Sequence, residues 1–409
     1  MPQINLGRRE FIAGIGALGA TGCNLVPGPR PDRHRVFIGT FTNASGEVIP
    51  RDFGERRSDA ISRGLYSFEF DARNGEVGPA TLAAEISNPT NLILHPSRRI
   101  VYACRGQNTR IDGRNPVTAL QIKDDGTCAA INTEPVGLGP TVGCVDRAGR
   151  TLLTTNFSSH SVVAMRLDRK GAIGARTAYI TNVAEGEEIP SYGPPSSEPH
   201  DPDYIFTKPH DIKLSPDERF AVVPEIRGNR CSVYKFDSVA GSLTPHGVAD
   251  APAHTGPRHI GFHPSGRWLY SSGEAGSFVS AWSWSASDGK LAHLQRLSTL
   301  PEGWEGRNNP ADCVVHPSGR FVYVTNRGCG TIAVFAINVQ TGDLRLSDQS
   351  DIGSPSCWSM AFDPSGKWAI ITAQIADEVR IYSVSPETGA LTYNGQSVPI
   401  VLPTCATIV

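Results

Sequence analysis

From Val36 onward the chain is a succession of short apolar runs separated by turn residues. His259-Ile260-Gly261-Phe262, Trp268-Leu269-Tyr270-Ser271, Phe321-Val322-Tyr323-Val324 and Thr331-Ile332-Ala333-Val334-Phe335 are typical. They are rich in β-branched and aromatic residues and too short for helices, so they read as strands. The turns between them repeat. Copies begin at His95, Asp146, Ser215, His263, His316 and Asp363, and successive starts differ by 51, 69, 48, 53 and 47 residues. A period of this size marks a repeat architecture. In each copy one run enters the turn, a second leaves it and a third follows. A turn such as Gln340-Thr341-Gly342-Asp343 then leads to a fourth, more polar run. Pro-Ser-Gly and Thr-Gly supply the preset and positive φ that tight turns need.

Four antiparallel strands per copy form the blade of a β-propeller. The pattern predicts an all-β, seven-bladed β-propeller spanning 35–409. Six blades carry the repeated turn. The seventh is expected from Val36 to Thr40, Gly64 to Phe70 and Leu82 to Glu85, completed by Cys405 to Val409. Sharing one blade between the two ends of the ring leaves few open sheet edges. The longest interval contains a Pro-, Ser-, Gly- and acid-rich insertion, about Ala184 to Phe206. It is expected to form a loop over one mouth of the ring.

The 42 glycines and 31 prolines fit this turn-rich plan. A net charge of −2 without a basic stripe speaks against nucleic acid or a polybasic membrane surface as partner. The first residues differ from the rest. Gly7-Arg8-Arg9-Glu10-Phe11 precedes an apolar, small-residue run that ends at Ala20-Thr21-Gly22-Cys23, before Pro27-Gly28-Pro29. That layout predicts a twin-arginine-type signal peptide over 1–22 and a Pro-rich linker over 23–34. Small residues before Cys23 form a lipoprotein-type box, so Cys23 is the candidate lipidation site and the only membrane link expected. The protein is then expected in the periplasm or cell envelope, or in the cytoplasm if the leader is not used. Gly14-Ile15-Gly16-Ala17-Leu18-Gly19 matches a dinucleotide fingerprint but lacks the preceding strand that would make it one, so no nucleotide cofactor is expected. The eight cysteines beyond Cys23 sit mostly in apolar runs and are expected as free, buried thiols. No metal-ligand spacing occurs, and no cofactor is called for.

Propeller topology sorts the polar residues by face. The repeated turns join a blade's first and second strands on one face, so His95, His263 and His316 are expected to be structural. Residues just before a first strand, or just after a second, share the opposite mouth. That set holds His210, Arg258, His259, Asp312, Asn156, Glu225, Glu274, Asn326, Arg327 and Gln374.

Four strings make the chain resemble the seven-bladed propeller lactonases, from about Val36 to Val409. They are Ser298 to Trp304 (Ser-Thr-Leu-Pro-Glu-Gly-Trp), His316 to Gly328, Gly256-Pro257-Arg258-His259-Ile260 and Leu402-Pro403-Thr404-Cys405. That family includes propeller-type 6-phosphogluconolactonases and carboxy-muconate lactonizing enzymes. The resemblance implies His210, Arg258, Glu274 and Arg327 as catalytic residues. It leaves Asn326, Asp312, Gln374, Glu225 and Asn156 as substrate contacts. Cys329 replaces a frequent His, Arg105-Gly106 replaces an Asn-Glu pair, and an Arg often opening the last blade is absent near Trp358. These departures bear on the substrate.

Opening a lactone needs an activated water and stabilisation of the oxyanion. His210 and Glu274 are both candidate bases, and Arg258 and Arg327 candidate anion holders. No Ser nucleophile elbow is present. The expected function is hydrolysis of a small sugar lactone, phosphorylated or not. The alternatives are a muconate-type cycloisomerase and a non-catalytic exported binding module.

Overall fold

The computed structural model describes residues 32–42, 60–106, 109–181 and 207–409. The leader, Cys23 and the Ala184 to Phe206 insertion lie outside them. The described chain forms seven antiparallel sheets in a ring. Blade 1 pairs the C-terminal strand Pro403–Ile408 with Arg33–Thr40, followed by Gly64–Asp71 and an outer strand split into Glu76–Val77 and Thr81–Glu85. Blades 2 to 7 occupy 89–137, 140–181, 209–250, 257–298, 309–351 and 357–399, each running from the centre outwards. The seam of blade 1 matches expectation, with Phe37 opposite Thr407 and Gly39 opposite Cys405.

The core is not one mass. Each joint between neighbouring blades encloses its own apolar cluster, such as Tyr270, Val279, Val322 and Phe335 between blades 5 and 6. Strands near the centre pack on both faces, so Phe321–Arg327 is buried at every position. The outermost strands meet solvent, and Ser242–Asp250 is mostly exposed. The short both-faced runs and the fourth, polar run of the sequence pattern thus have one cause, distance from the channel. All eight described cysteines are free thiols, and five of them are buried.

On the face of the repeated turns, histidines tie blade to blade. His263 Nδ1 accepts the Ser265 N–H (3.0 Å), which leaves Nε2–H to donate to the Gly319 carbonyl of the next blade (2.9 Å). His316 repeats this with Ser318 and Gly366, and His95 with Ser97 and Gly149. Gly319 has φ +70°, and a Cβ there would lie 2.7 Å from His263 Nε2. The turn glycine therefore serves both backbone conformation and close approach. At the same three joints a tyrosine donates across: Tyr102 to Gly171, Tyr270 to Gly342 and Tyr323 to Gly389.

Candidate active site

At the other mouth, six of the seven innermost segments carry a proline at one level, in four of them as the first strand residue. Pro89, Pro140, Pro209, Pro257, Pro310 and Pro403 pair with Arg105, Asn156, Glu225, Gly273, Asn326 and Thr40. Proline cannot donate to a ladder, and the first strand position is where that loss matters least. The register then slips in blades 5, 6 and 7. Arg258 and His259 together face Ser272, Ala311 and Asp312 face Thr325, and Trp358 and Ser359 face Thr372. Two residues against one is a bulge, and it re-aims side chains that a regular strand would send to opposite faces. The N–H freed by each bulge is taken by the facing hydroxyl: His259 by Ser272 (3.1 Å), Asp312 by Thr325 (2.8 Å) and Ser359 by Thr372 (2.9 Å).

These bulges gather a polar cluster from blades 4 to 7. Glu274, just beyond the second strand of blade 5, bridges two guanidiniums. Its Oε2 lies 2.6 Å from Arg258 Nε and 3.2 Å from Arg327 Nη2. Neither nitrogen has a well-aligned hydrogen-bond acceptor, so the contact is chiefly coulombic. Both guanidiniums lie over the Trp358 ring, Arg258 at 5.7 Å and Arg327 at 4.9 Å. Arg327 Nε also donates to the Asn309 carbonyl. A second arm runs through imidazoles. Arg258 Nη1 is 3.1 Å from His259 Nε2, which is 3.2 Å from His210 Nδ1; His259 Nδ1 is 3.1 Å from Asp312 Oδ1. Ser359 Oγ and the Met360 N–H hold the other Asp312 oxygen. The His210 ring abuts the edge of Phe157, over which Lys208 Nζ sits at 4.6 Å.

Charge states follow from this packing. Burial, reinforced by Arg258, His259 and Arg327, holds His210 well below its ordinary value, so it is neutral at pH 7. Burial and Arg258 also lower His259, against the pull of Asp312. Burial alone would raise Glu274, but Arg327 and Arg258 more than offset it and keep the carboxylate ionised. Burial and Arg327 bring Arg258 down to about 9, still charged at neutral pH. Lys208 is lowered to about 8, by burial first and Arg227 second.

This mouth can be compared with known proteins. The chain matches the family described as "Lactonase, 7-bladed beta-propeller" over residues 35–408. It belongs to the seven-bladed β-propeller lactonase family. The lactonase is 27% identical over 334 residues to the 6-phosphogluconolactonase of Bacillus subtilis strain 168, which covers 80% of this chain and 84% of that one. Its fold is similar to the solved periplasmic gluconolactonase of Pseudomonas aeruginosa, with 22% identity, TM-score 0.77, and 92% of this chain and 99% of that chain covered. A Lactobacillus plantarum protein gives 23% identity, TM-score 0.77 and the same coverage.

In the lactonase, the structure brings His210, Arg258, Glu274 and Arg327 into one cluster with Asp312. The other expected contacts are tied into their own blades. Both Glu225 oxygens are held, by Arg230 Nε and Ser232 Oγ, each at 2.8 Å. Asn326 makes four hydrogen bonds, three that pin the loop from Thr299 to Asn308 and one to Thr331 on the next strand. Asn156 holds Ser161, and Gln374 accepts from Ser356; one amide atom of each, Asn156 Oδ1 and Gln374 Nε2, has no partner among the described residues. Asp312 faces His259 rather than open space. Sequence reasoning gave no role to His259, Trp358 or Lys208. The proline level was the available signal for His259, two residues beyond Pro257, but blade 7 has Cys357 at that level and so left Trp358 unmarked.

Proposed function

We propose that the lactonase hydrolyses a sugar lactone by direct water attack, and that its own substrate is an unphosphorylated aldonolactone. The observation that carries the reading is a neutral imidazole, His210, beside two buried guanidiniums bridged by a single carboxylate. An imidazole that is neutral at working pH accepts a proton from water as the water attacks the carbonyl carbon. Two fixed cations beside it stabilise the oxyanion that forms. The ring C–O bond then breaks, the proton passes from His210 to the departing ring oxygen, and the open hydroxy acid leaves. Glu274, locked between Arg258 and Arg327, is a poor base and serves to keep both cations in place.

Two things support the unphosphorylated substrate. The export-type layout of 1–22 would carry the enzyme to where phosphorylated sugars are scarce, and a protein of the same fold is named a periplasmic gluconolactonase. The test is a lactone panel on the chain lacking 1–22, comparing aldonolactones with 6-phosphogluconolactone. Aldonolactone opening is expected to be faster. Hydrolysis of the phosphorylated lactone alone would overturn the substrate, and formation of a lactone from a muconate would overturn the reaction.

A further inference from the structure

His259 occupies a position from which the protonation of its neighbours can be read. Arginine has only N–H donors, so at 3.1 Å from Arg258 Nη1 the His259 Nε2 must be an acceptor. Its Nδ1, 3.1 Å from the ionised Asp312 carboxylate, must then carry the proton and donate. Both contacts demand the same neutral tautomer. His210 Nδ1 lies 3.2 Å from that same Nε2, and the complementary state there is His210 Nδ1–H sharing the one Nε2 lone pair with Arg258 Nη1–H. The other His210 nitrogen, Nε2, makes no hydrogen bond among the described residues, and the residue is only partly buried. The anchor of the chain is itself fixed. Asp312 Oδ1 also accepts the Cys313 N–H (3.0 Å), and Oδ2 accepts Ser359 Oγ (3.0 Å) and the Met360 N–H (3.2 Å) from the next blade. Asp211, beside His210, accepts the Ile260 N–H of blade 5 (3.0 Å), which ties the His210 segment to the strand that carries His259.

We infer that Asp312 and His259 are positioning residues for His210: they hold its proton on Nδ1 and leave the Nε2 lone pair free to take a proton from water. The inference deepens the lactone-hydrolysis reading and rests on it for its catalytic consequence. The groups facing the chain are Arg258 above His259 Nε2, Asp312 behind Nδ1 and the Phe157 edge against His210, with Arg327 and Glu274 beyond Arg258. None of them offers His210 Nδ1 a donor that would turn it into an acceptor.

The tautomers are read directly by long-range proton–nitrogen correlation on ¹⁵N-histidine-labelled protein, with His210 assigned by comparison with His210→Gln. The wild type is expected to show a bare His210 Nε2. Asp312→Asn removes the carboxylate charge and so weakens the hold on the His259 Nδ1 proton, and with it the hold on His210. Its kcat is expected to fall about 10²–10⁴-fold, the range a placed acid–base group contributes, with KM little changed. His259→Gln keeps an acceptor for His210 Nδ1 and is expected to retain most activity; His259→Leu keeps none and is expected to fall to the His210→Gln level. A protonated Nε2 in the wild type, or folded Asp312→Asn and His259→Leu variants with wild-type kcat, overturns the inference. If the wild type opens no lactone in the panel, the reaction reading falls, while the spectrum still decides the tautomer.

Discussion

Replacing Glu274 by Gln tests the charge arithmetic of the mouth. Among the described residues the carboxylate is the one anion within contact of both Arg258 and Arg327, whose side chains are only 2% and 9% exposed. At an effective dielectric of 20, a contact at 2.6 Å is worth about 6 kcal/mol of gross attraction and one at 3.2 Å about 5. Desolvation consumes part of this, and some water reaches Glu274, whose side chain is 23% exposed. Removing one partner of a buried ion pair typically costs about 3–5 kcal/mol, because the remaining charge stays buried and unmatched. Here two such charges remain, side by side over Trp358. With an unfolding entropy of about 2.1 cal/mol/K per residue, a body of about 370 residues has about 0.8 kcal/mol/K at Tm. Glu274→Gln should then melt about 4–6 °C below the wild type at pH 7, followed by circular dichroism. Adding Arg327→Met to it removes one of the two unmatched cations and should restore part of the loss. A single variant that melts with the wild type, or a double variant no more stable than the single, would refute the argument.

Trp358→Leu removes the face on which both guanidiniums lie; with cation–π contacts worth about 1–2 kcal/mol when desolvated, kcat/KM should drop about 5- to 30-fold. Unchanged kinetics would show that Glu274 alone positions the cations. Gly319→Ala adds a Cβ 2.7 Å from His263 Nε2 at φ +70°, whereas Gly113→Ala shares a positive φ (+76°) with nothing within 4 Å. Chemical denaturation should show Gly319→Ala the more destabilised by at least about 1 kcal/mol, and equal losses would mean that backbone strain alone matters. Burial lowers His95 and His316, and lowers His160 to about 4. As pH falls through about 6.5 the unfolded chain takes up protons that these folded histidines refuse. Stability is therefore whole above that pH and declines toward pH 4, by up to about 1.4 kcal/mol per pH unit for each histidine. Calorimetry between pH 7.5 and 5 should show Tm falling, less steeply in His160→Gln; a flat profile contradicts the assignment.

The fold could be read because blade grammar is local. A Pro-Ser-Gly turn, an apolar run on each side and a polar fourth run occur within about fifty residues, and each copy confirms the last. The closing strand was legible for the same reason, since one blade lacked a member and Cys405 to Val409 was at hand to supply it; the strand itself runs Pro403–Ile408. The mouth was legible only as a level. Arg258 and Glu274 meet within one blade, but His210, His259 and Asp312 come from three blades, at separations of 49 and 53 residues, and their pairing depends on bulges. Ser272, Thr325 and Thr372, which stabilise those bulges, look like ordinary strand residues in the sequence. Glu225 and Asn326 sit at the right level too, yet Arg230, Ser232, Thr299 and Asn308 claim them. Which polar side chain stays available is decided by its neighbours after folding, and a single sequence does not display that competition.

The paired histidine and tyrosine ties have a mechanical consequence. They occur at the joints between blades 2 and 3, 5 and 6, and 6 and 7. Two of these three joints are consecutive, so blades 5, 6 and 7 form a braced arc. That arc carries Arg258, His259, Glu274, Asp312, Arg327 and Trp358, while His210 stands on the neighbouring blade 4. Between blades 3 and 4, where the long insertion enters the sequence, neither tie is present among the described residues. The ring thus sets most of its charged mouth on a sector braced at both of its joints, while other side chains, such as Arg147 to the Pro216 carbonyl and Thr177 to the Gly241 carbonyl, cross between blades 3 and 4. Load applied to the ring would be shared unevenly, with the braced sector the last to yield.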